Sequence, residues 1–158
     1  MSTACAGAVA REVLFIDRES VRARAVQADP SAVLSQQKLV EAAGVGPDCQ
    51  IHIWLGAMPS NPTLARYIAE SRAQVHVVRR ADKGAVEVDM AMVLNELEGV
   101  ETATFISGSG ALTPLIRRLQ DVGIHCRVVA FSDTISGDLI NLGVETIFLD
   151  AADITVEM

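Results

Sequence analysis

The sequence predicts a three-layer α/β/α domain built on a mostly parallel, Rossmann-like sheet. Six short apolar runs rich in β-branched residues alternate with amphipathic segments of helical length. Such alternation is typical of repeated β-α-β units, whose crossover helices cover a parallel sheet on both faces. Hydrophobic residues make up 50% of the 158 positions, which is enough for the core that a covered sheet needs.

Strands are predicted where the apolar runs have strand length. In chain order they are VLFID (13–17), IHIWL (51–55), VHVVR (75–79), TATFIS (102–107), HCRVVAF (125–131) and ETIFLD (145–150). Because helical patterns separate these runs and no linker or repeat interrupts them, we expect one domain over residues 13–158. Residues 1–12 are expected to be a flexible leader.

Helices are predicted between the strands from the residues at their ends. Three pairs place a capping side chain before a proline suited to a first helical turn: Asp29-Pro30, Asn61-Pro62 and Thr113-Pro114. Three glycines stand where a left-handed residue ends a helix: Gly44, Gly123 and Gly143. Each of these pairs and glycines therefore marks a predicted helix start or end.

Composition excludes several classes of function. A net charge of −7 argues against non-specific binding to nucleic acid or anionic membrane, and 4% aromatic residues argue against a stacking platform for single strands. Three cysteines without C-x-x-C spacing argue against a zinc site or a disulfide framework. No apolar run approaches the ~18 residues of a membrane span. We expect a cytoplasmic protein with no membrane partner.

Ligands of open α/β sheets bind at the carboxyl ends of strands, near the point where the strand order reverses. Four places qualify: Asp17, the segment after VHVVR, the turn at residues 107–110, and Asp133. Acids from separate strand ends suggest a Mg²⁺ or Mn²⁺ site that could act on phosphodiesters. The alternative is structural, with Asp17 capping a helix and Glu87 complementing a helix dipole.

Three stretches, in order, resemble the PIN-like nuclease superfamily, in particular the NYN group and its bacterial PIN-like relatives. FIDRES (15–20) resembles the first-strand motif, an apolar run that ends in Asp. KGAVEVDMAMVL (83–94) resembles the Lys-x-Ala-hydrophobic-Asp helix. FISGSGALTPLIRRLQDVGIHCRVV (105–129) resembles the Ser-x-Asp-x-Gly-Phe-Asp-Pro-Leu-Ile segment with its helix and strand.

The resemblance implies a nuclease-type fold whose clustered acids bind divalent ions and cut RNA. It implies that Asp17 and Glu87 are the catalytic, metal-ligating residues, with Mg²⁺ or Mn²⁺ as the cofactor. Asp89 is the alternative helix acid, but that register needs a gap after Lys83. The resemblance also implies that Lys83 contacts phosphate.

The sequence departs from the family pattern where three site residues are replaced. Ser20 stands for an Asn, and Ser109 and Thr113 each stand for an Asp. Hydroxyls are weaker, neutral ligands, so two acids would hold one cation weakly and a two-metal clamp is not expected. Thr113 is still expected to cap its helix. Ser20, Ser107, Ser109 and Thr113 are then expected to line a substrate site.

Arginines after the same strand ends add a second set of candidate contacts. Arg18 is the nearest to the acids, and arginine suits bidentate recognition of phosphate. The resulting hypothesis is an RNA-binding PIN-like domain with attenuated metal-dependent ribonuclease activity. The alternative is a catalytically inactive pseudo-enzyme that binds a protein partner or forms a homodimer. A further alternative takes the turn at 107–110 as a cradle for a sugar phosphate.

Overall fold

The computed structural model describes residues 11–31, 33–58, 62–71, 73–79 and 84–156. The strands in these ranges are β1 (Glu12–Asp17), β2 (Val33–Leu34), β3 (Gln50–Leu55), β4 (Gln74–Val77), β5 (Thr102–Ile106), β6 (His125–Ala130), β7 (Glu145–Phe148) and β8 (Thr155–Val156). The helices are α1 (Arg18–Ala28), α2 (Gln36–Ala43), α3 (Pro62–Ser71), α4 (Ala85–Asn95), α5 (Thr113–Asp121), α6 (Gly137–Asn141) and α7 (Ala151–Ile154). A 3₁₀ turn, Gly110–Leu112, precedes α5.

Six strands form the central sheet in the order β4-β3-β1-β5-β6-β7, and every neighbouring pair is parallel. The chain first moves outward from β1 to β4 and then crosses back to β5. The strand order therefore reverses between β1 and β5, which is the switch point of a Rossmann-like sheet. All six predicted strands are present, and the predicted parallel sheet is confirmed.

Helices cover the sheet on both sides, so the predicted three-layer sandwich is confirmed. Alternation along β1 divides the core, because Val13 and Phe15 pack on one side and Leu14 and Ile16 on the other. The side of Phe15 is covered by α4, α5 and α6, and we call it the α4 side. The side of Leu14 is covered by α1, α2, α3 and α7, and we call it the α1 side.

The helix start predicted at Asp29-Pro30 is wrong. Asp29 ends α1, and its side chain accepts a hydrogen bond from the Ser31 backbone N–H at 3.0 Å. The chain then runs through β2, which pairs antiparallel with β8, before α2 begins at the Ser35 cap. The strand partner of this segment, β8, lies far away in sequence, so a local window of residues does not contain this contact.

Most of the other predicted helix ends are confirmed, and one is wrong. Pro62 begins α3 as expected, whereas Asn61 lies outside the described residues. Gly44, Gly123 and Gly143 have φ of 64°, 86° and 68°, which confirms the left-handed ends. Thr113 begins α5 but does not cap it, because its backbone is already helical (φ −53°, ψ −49°). Within the described ranges, no helix is long and apolar enough to cross a membrane.

Candidate functional site

Two polar residues stand at the switch point, where β1 and β5 end. Ile16 pairs with Ile106, so Asp17 and Ser107 follow at the carboxyl ends of adjacent strands. Both are buried, with relative exposures of 1% and 2%. They continue the alternation of Phe15 and Phe105, whose side chains pack on the α4 side. The sheet thus places these two predicted site residues next to each other.

Asp17 is the N-cap of α1. The Ser20 hydroxyl donates to Asp17 Oδ2 at 2.7 Å, and the Ser20 backbone N–H points at Oδ1 at 3.5 Å. A carboxylate suits this position because the first turn of a helix carries unpaired N–H groups and a positive partial charge. The structure therefore brings Ser20 and Asp17 together. The Asp17 carboxylate caps a helix, whether or not it also binds a ligand.

Glu87 lies in the first turn of α4, with a relative exposure of 9%. Its neighbour Val86 packs in the same core as Phe15, which places this turn on the α4 side of the sheet. Asp89, the other helix acid, accepts a hydrogen bond from the Trp54 indole Nε1–H at 2.7 Å. That bond ties α4 to β3. Lys83 lies outside the described residues.

The two metal ligands that the sequence predicts are both carboxylates. Asp17 and Glu87 contribute two carboxylates on one side of the sheet, and oxygen ligands of this type suit Mg²⁺ or Mn²⁺. Among the described residues, no group of three or more His, Cys, Asp or Glu side chains could hold a metal ion. Asp133 does not join the set, because Arg24 binds it through Nε at 3.1 Å and a terminal nitrogen at 2.7 Å. These hydrogen bonds lower the pKa of Asp133.

The turn at residues 107–110 packs tightly against the loop that follows β6. A Cβ on Gly108 would lie 2.9 Å from the Thr134 carbonyl oxygen, and one on Gly110 would lie 2.8 Å from the Ser136 hydroxyl. The Ser136 backbone N–H also donates to the Gly108 carbonyl at 2.9 Å. Both glycines are therefore needed for close approach between two loops, which accounts for them without a ligand.

Hydroxyls inside the turn already bind its backbone amides. The Ser109 N–H donates to Ser107 Oγ at 3.2 Å, and the Ala111 N–H donates to Ser109 Oγ at 3.2 Å. Amides used in this way are not free to cradle a phosphate. Thr113 Oγ1 is buried and has no hydrogen-bond partner among the described residues, so its hydroxyl does not face an open site. This arrangement weakens the sugar-phosphate hypothesis for the turn.

Arg18 is directed away from the acids, toward the α1 side. Its Nε–H donates to Gln36 Oε1 at 3.2 Å, and its side chain lines two cavities of about 520 and 430 Å³. The walls of these cavities include Leu34 and Leu64, which belong to the core on the α1 side. The side chains of Asp17 and Arg18 thus lie on different sides of the sheet, although the two residues are neighbours in sequence.

The structure also brings together histidines that the sequence does not single out. His52 Nδ1 and His76 Nε2 lie 2.9 Å apart, and His52 Nε2 lies 2.7 Å from Gln50 Oε1. The His76 ring stacks on Trp54 with centroids 4.5 Å apart. Burial, and then the nearby His76, lowers the pKa of His52 to about 4. The sequence signal that could have indicated this cluster is the alternation of side chains along a strand, which puts residues 52 and 54 on the same side of β3.

The described cysteines are poor candidates for nucleophilic chemistry. Burial raises the pKa of the Cys49 thiol to about 12 and that of Cys126 to about 11. Both are free thiols. Since the thiolate is the reactive form, neither side chain is activated at neutral pH.

Comparisons with known proteins agree with the fold and add no function. No protein-family model and no curated protein matches the chain. The crystal structure of a protein of unknown function from Vibrio parahaemolyticus superimposes with a TM-score of 0.70 over 99% of this chain and 100% of that one. The two sequences are 16% identical. The similarity extends over the whole fold and concerns the fold alone.

Proposed function

We propose that this chain binds RNA at the carboxyl edge of its sheet and has an attenuated, metal-dependent ribonuclease activity centred on Asp17 and Glu87. The observation that supports the proposal is the burial of Asp17 and Ser107 side by side at the switch point, with the first turn of α4 on the same side. Ligands of open α/β sheets bind at this position.

Attenuation is expected from the charge of the site. Two carboxylates remain, Asp17 also binds Ser20, and neutral hydroxyls occupy positions 109 and 113. When bound, Mg²⁺ or Mn²⁺ would supply a Lewis acid for phosphate and water. Asp17 and Glu87 would hold the ion through their oxygens, and Ser107 would border the site. One weakly held ion fits this donor set, whereas a two-metal clamp does not.

The test compares wild-type protein with the double variant Asp17→Asn/Glu87→Gln in RNA cleavage assays with Mn²⁺, Mg²⁺ or chelator. Asparagine is chosen at position 17 because it caps helices as well as aspartate does. Asp48→Asn removes an exposed acid from the loop before β3 and serves as the matched control. We expect metal-dependent cleavage by the wild type and the control, and a loss of about a hundredfold or more in the double variant.

RNA binding is measured in the same preparations by fluorescence anisotropy at several salt concentrations. Affinity should fall as salt rises, because phosphate contacts release counterions. Equal cleavage by all three proteins would point to a contaminating nuclease and refute the metal role of the two acids. An absence of both cleavage and salt-sensitive binding would refute the proposed function as a whole.

The second candidate is a catalytically silent module that binds a protein partner or a second copy of itself. Its supporting observation is that the acids at the edge already make structural contacts, Asp17 with α1 and Asp89 with Trp54. The variant Ser109→Asp tests it, because aspartate can keep the turn cap while restoring one family carboxylate. Cleavage that appears only in this variant, with a dimer detected by light scattering, would favour the silent module over the nuclease.

A further inference from the structure

Two cavities adjoin each other at the carboxyl edge of β3 on the α1 side. Their volumes are about 520 and 430 Å³, and both are lined by Arg18, Val33, Leu34 and Leu64. The first extends toward the segment after β3, and the second toward the start of α3. Because four residues are shared, a ligand can contact Arg18 from either cavity.

Three helices begin at the second cavity. Its wall contains Arg18 from the first position of α1, Gln36 from the first position of α2, and Thr63 from the second position of α3. These helices have 11, 8 and 10 residues, so each presents a full first turn. The start of a helix carries a positive partial charge. The Asp17 carboxylate already caps α1, so the starts of α2 and α3 are the two that favour an anion in this cavity.

The side chains at this convergence leave hydrogen-bond donors without acceptors. Gln36 has a relative exposure of 5%, and its Nε2 has no hydrogen-bond partner among the described residues. Arg18 has a relative exposure of 6%, and no described carboxylate forms an ion pair with it. Its Nε–H binds Gln36 Oε1, which holds the guanidinium against the cavity.

Such an arrangement is costly without a ligand. A buried cation loses hydration, and a buried amide without a partner loses its hydrogen bonds to water. Burial lowers the pKa of Arg18. The negative charge of Glu19 opposes this shift, and the positive charge of Arg22 adds to it. An anion in the cavities that accepts hydrogen bonds from the Arg18 guanidinium offsets the loss at the cation.

We propose that Arg18, held in place by Gln36, binds the phosphate group of a small phosphorylated ligand whose remaining part occupies the adjoining cavities. Phosphate is preferred to a carboxylate because its oxygens project in several directions and can meet the Arg18 guanidinium and the starts of α2 and α3 together. Val33, Leu34 and Leu64 provide an apolar wall for the body of the ligand. Glu19 and Glu70 line the cavities and can accept hydrogen bonds from ligand hydroxyls. This site is separate from the acids on the α4 side, so it does not depend on RNA binding or cleavage.

The experiment measures binding of inorganic phosphate to the full chain by calorimetry, with sulfate, acetate and chloride at matched ionic strength. We expect phosphate and sulfate to bind and acetate to bind at least about tenfold more weakly. Chloride reports non-specific ionic effects. Tighter binding of acetate would overturn the choice of phosphate, and absence of saturable binding by any oxyanion would overturn the site.

Variants locate the binding. Arg18→Met keeps the apolar stem of the side chain without its charged head, and we expect it to weaken phosphate binding about tenfold or more. Arg22→Gln, an exposed arginine of the same cavity, is the matched control and should change the affinity less than about threefold. If Arg18→Met does not fold, Gln36→Leu decides, with a loss of about fivefold expected. Phosphate binding that is unchanged in Arg18→Met would refute the site. If Arg18→Met does not fold, unchanged binding in Gln36→Leu would refute it instead.

Discussion

Lowering the pH should destabilise this protein through His52. The side chain is 1% exposed, its ring lies against His76, and its pKa is lowered to about 4 from an ordinary value of 6.5. A histidine with a lowered pKa is held neutral in the folded state. Its contribution to stability is therefore complete above about pH 6.5 and is lost progressively as the pH falls toward 4.

The size of the effect follows from the shift in pKa. A difference of about 2.5 units between the unfolded and folded states corresponds to about 3 kcal/mol once both states are protonated, and about 2 kcal/mol of this is lost by about pH 5. Charged groups nearby modify the loss. His76 opposes a charge on His52. Burial lowers the pKa of His76 itself, and the negative charge of Asp89 on α4 opposes that shift.

Urea denaturation between about pH 7.5 and pH 5 measures the loss directly. The free energy of unfolding of the wild type should fall by about 2 kcal/mol over this range, and His52→Gln should remove most of that slope. His125→Gln is the control, because His125 is exposed and bonded to Glu145 at the surface. Identical slopes in the wild type and His52→Gln would refute the reasoning, as would a His52 ring that titrates near its ordinary pKa by NMR.

Three further substitutions test the packing around the site, each by chemical denaturation. Gly108→Ala places a Cβ 2.9 Å from a backbone oxygen of the loop after β6 and should lower the free energy of unfolding by about 1–3 kcal/mol. In the control Gly137→Ala the added Cβ meets nothing within 4 Å, and the free energy of unfolding should stay within about 0.5 kcal/mol of wild type. Trp54→Phe removes the hydrogen bond to Asp89 and should cost about 1.5–3 kcal/mol; a neutral result would mean that water replaces the indole. Thr113→Val removes a buried hydroxyl without a described partner and should be neutral or stabilising, and a large loss would reveal an acceptor.

Strand positions were predictable because their signal is local. β1 has four successive residues with no exposed surface, Val13 to Ile16, so it reads as an uninterrupted apolar run, as a central parallel strand should. The left-handed glycines after α2, α5 and α6 were predictable for the same reason, since each ends its own helix. The helix start at Pro30 was mispredicted because β8, far along the chain, pairs with the segment that follows it.

The strand ends at the candidate site were predictable, but their neighbours and contacts were not. The sequence marks Asp17 and Ser107 as residues that end strands, whereas the strand order that puts them side by side at the switch point comes from the tertiary structure. By contrast, the glycines at 108 and 110 serve close contact with a loop about 25 residues away, and an isolated Ser-Gly-Ser-Gly motif cannot be distinguished from a phosphate-binding turn. The resemblance to PIN-like nucleases remains a hypothesis that the cleavage assay decides.

The sequence by itself determined the α/β class, the strand positions and the residues that end β1 and β5, because hydrophobic period and helix-end chemistry act over a few neighbouring residues. The tertiary structure alone decided which side chains meet. It directed Arg18 toward Gln36 and away from the acids, joined Trp54 to Asp89, and set His52 against His76. These contacts depend on the order of the strands and on the side that each crossover helix takes. Both arise from the packing of the whole chain, which no local window of sequence contains.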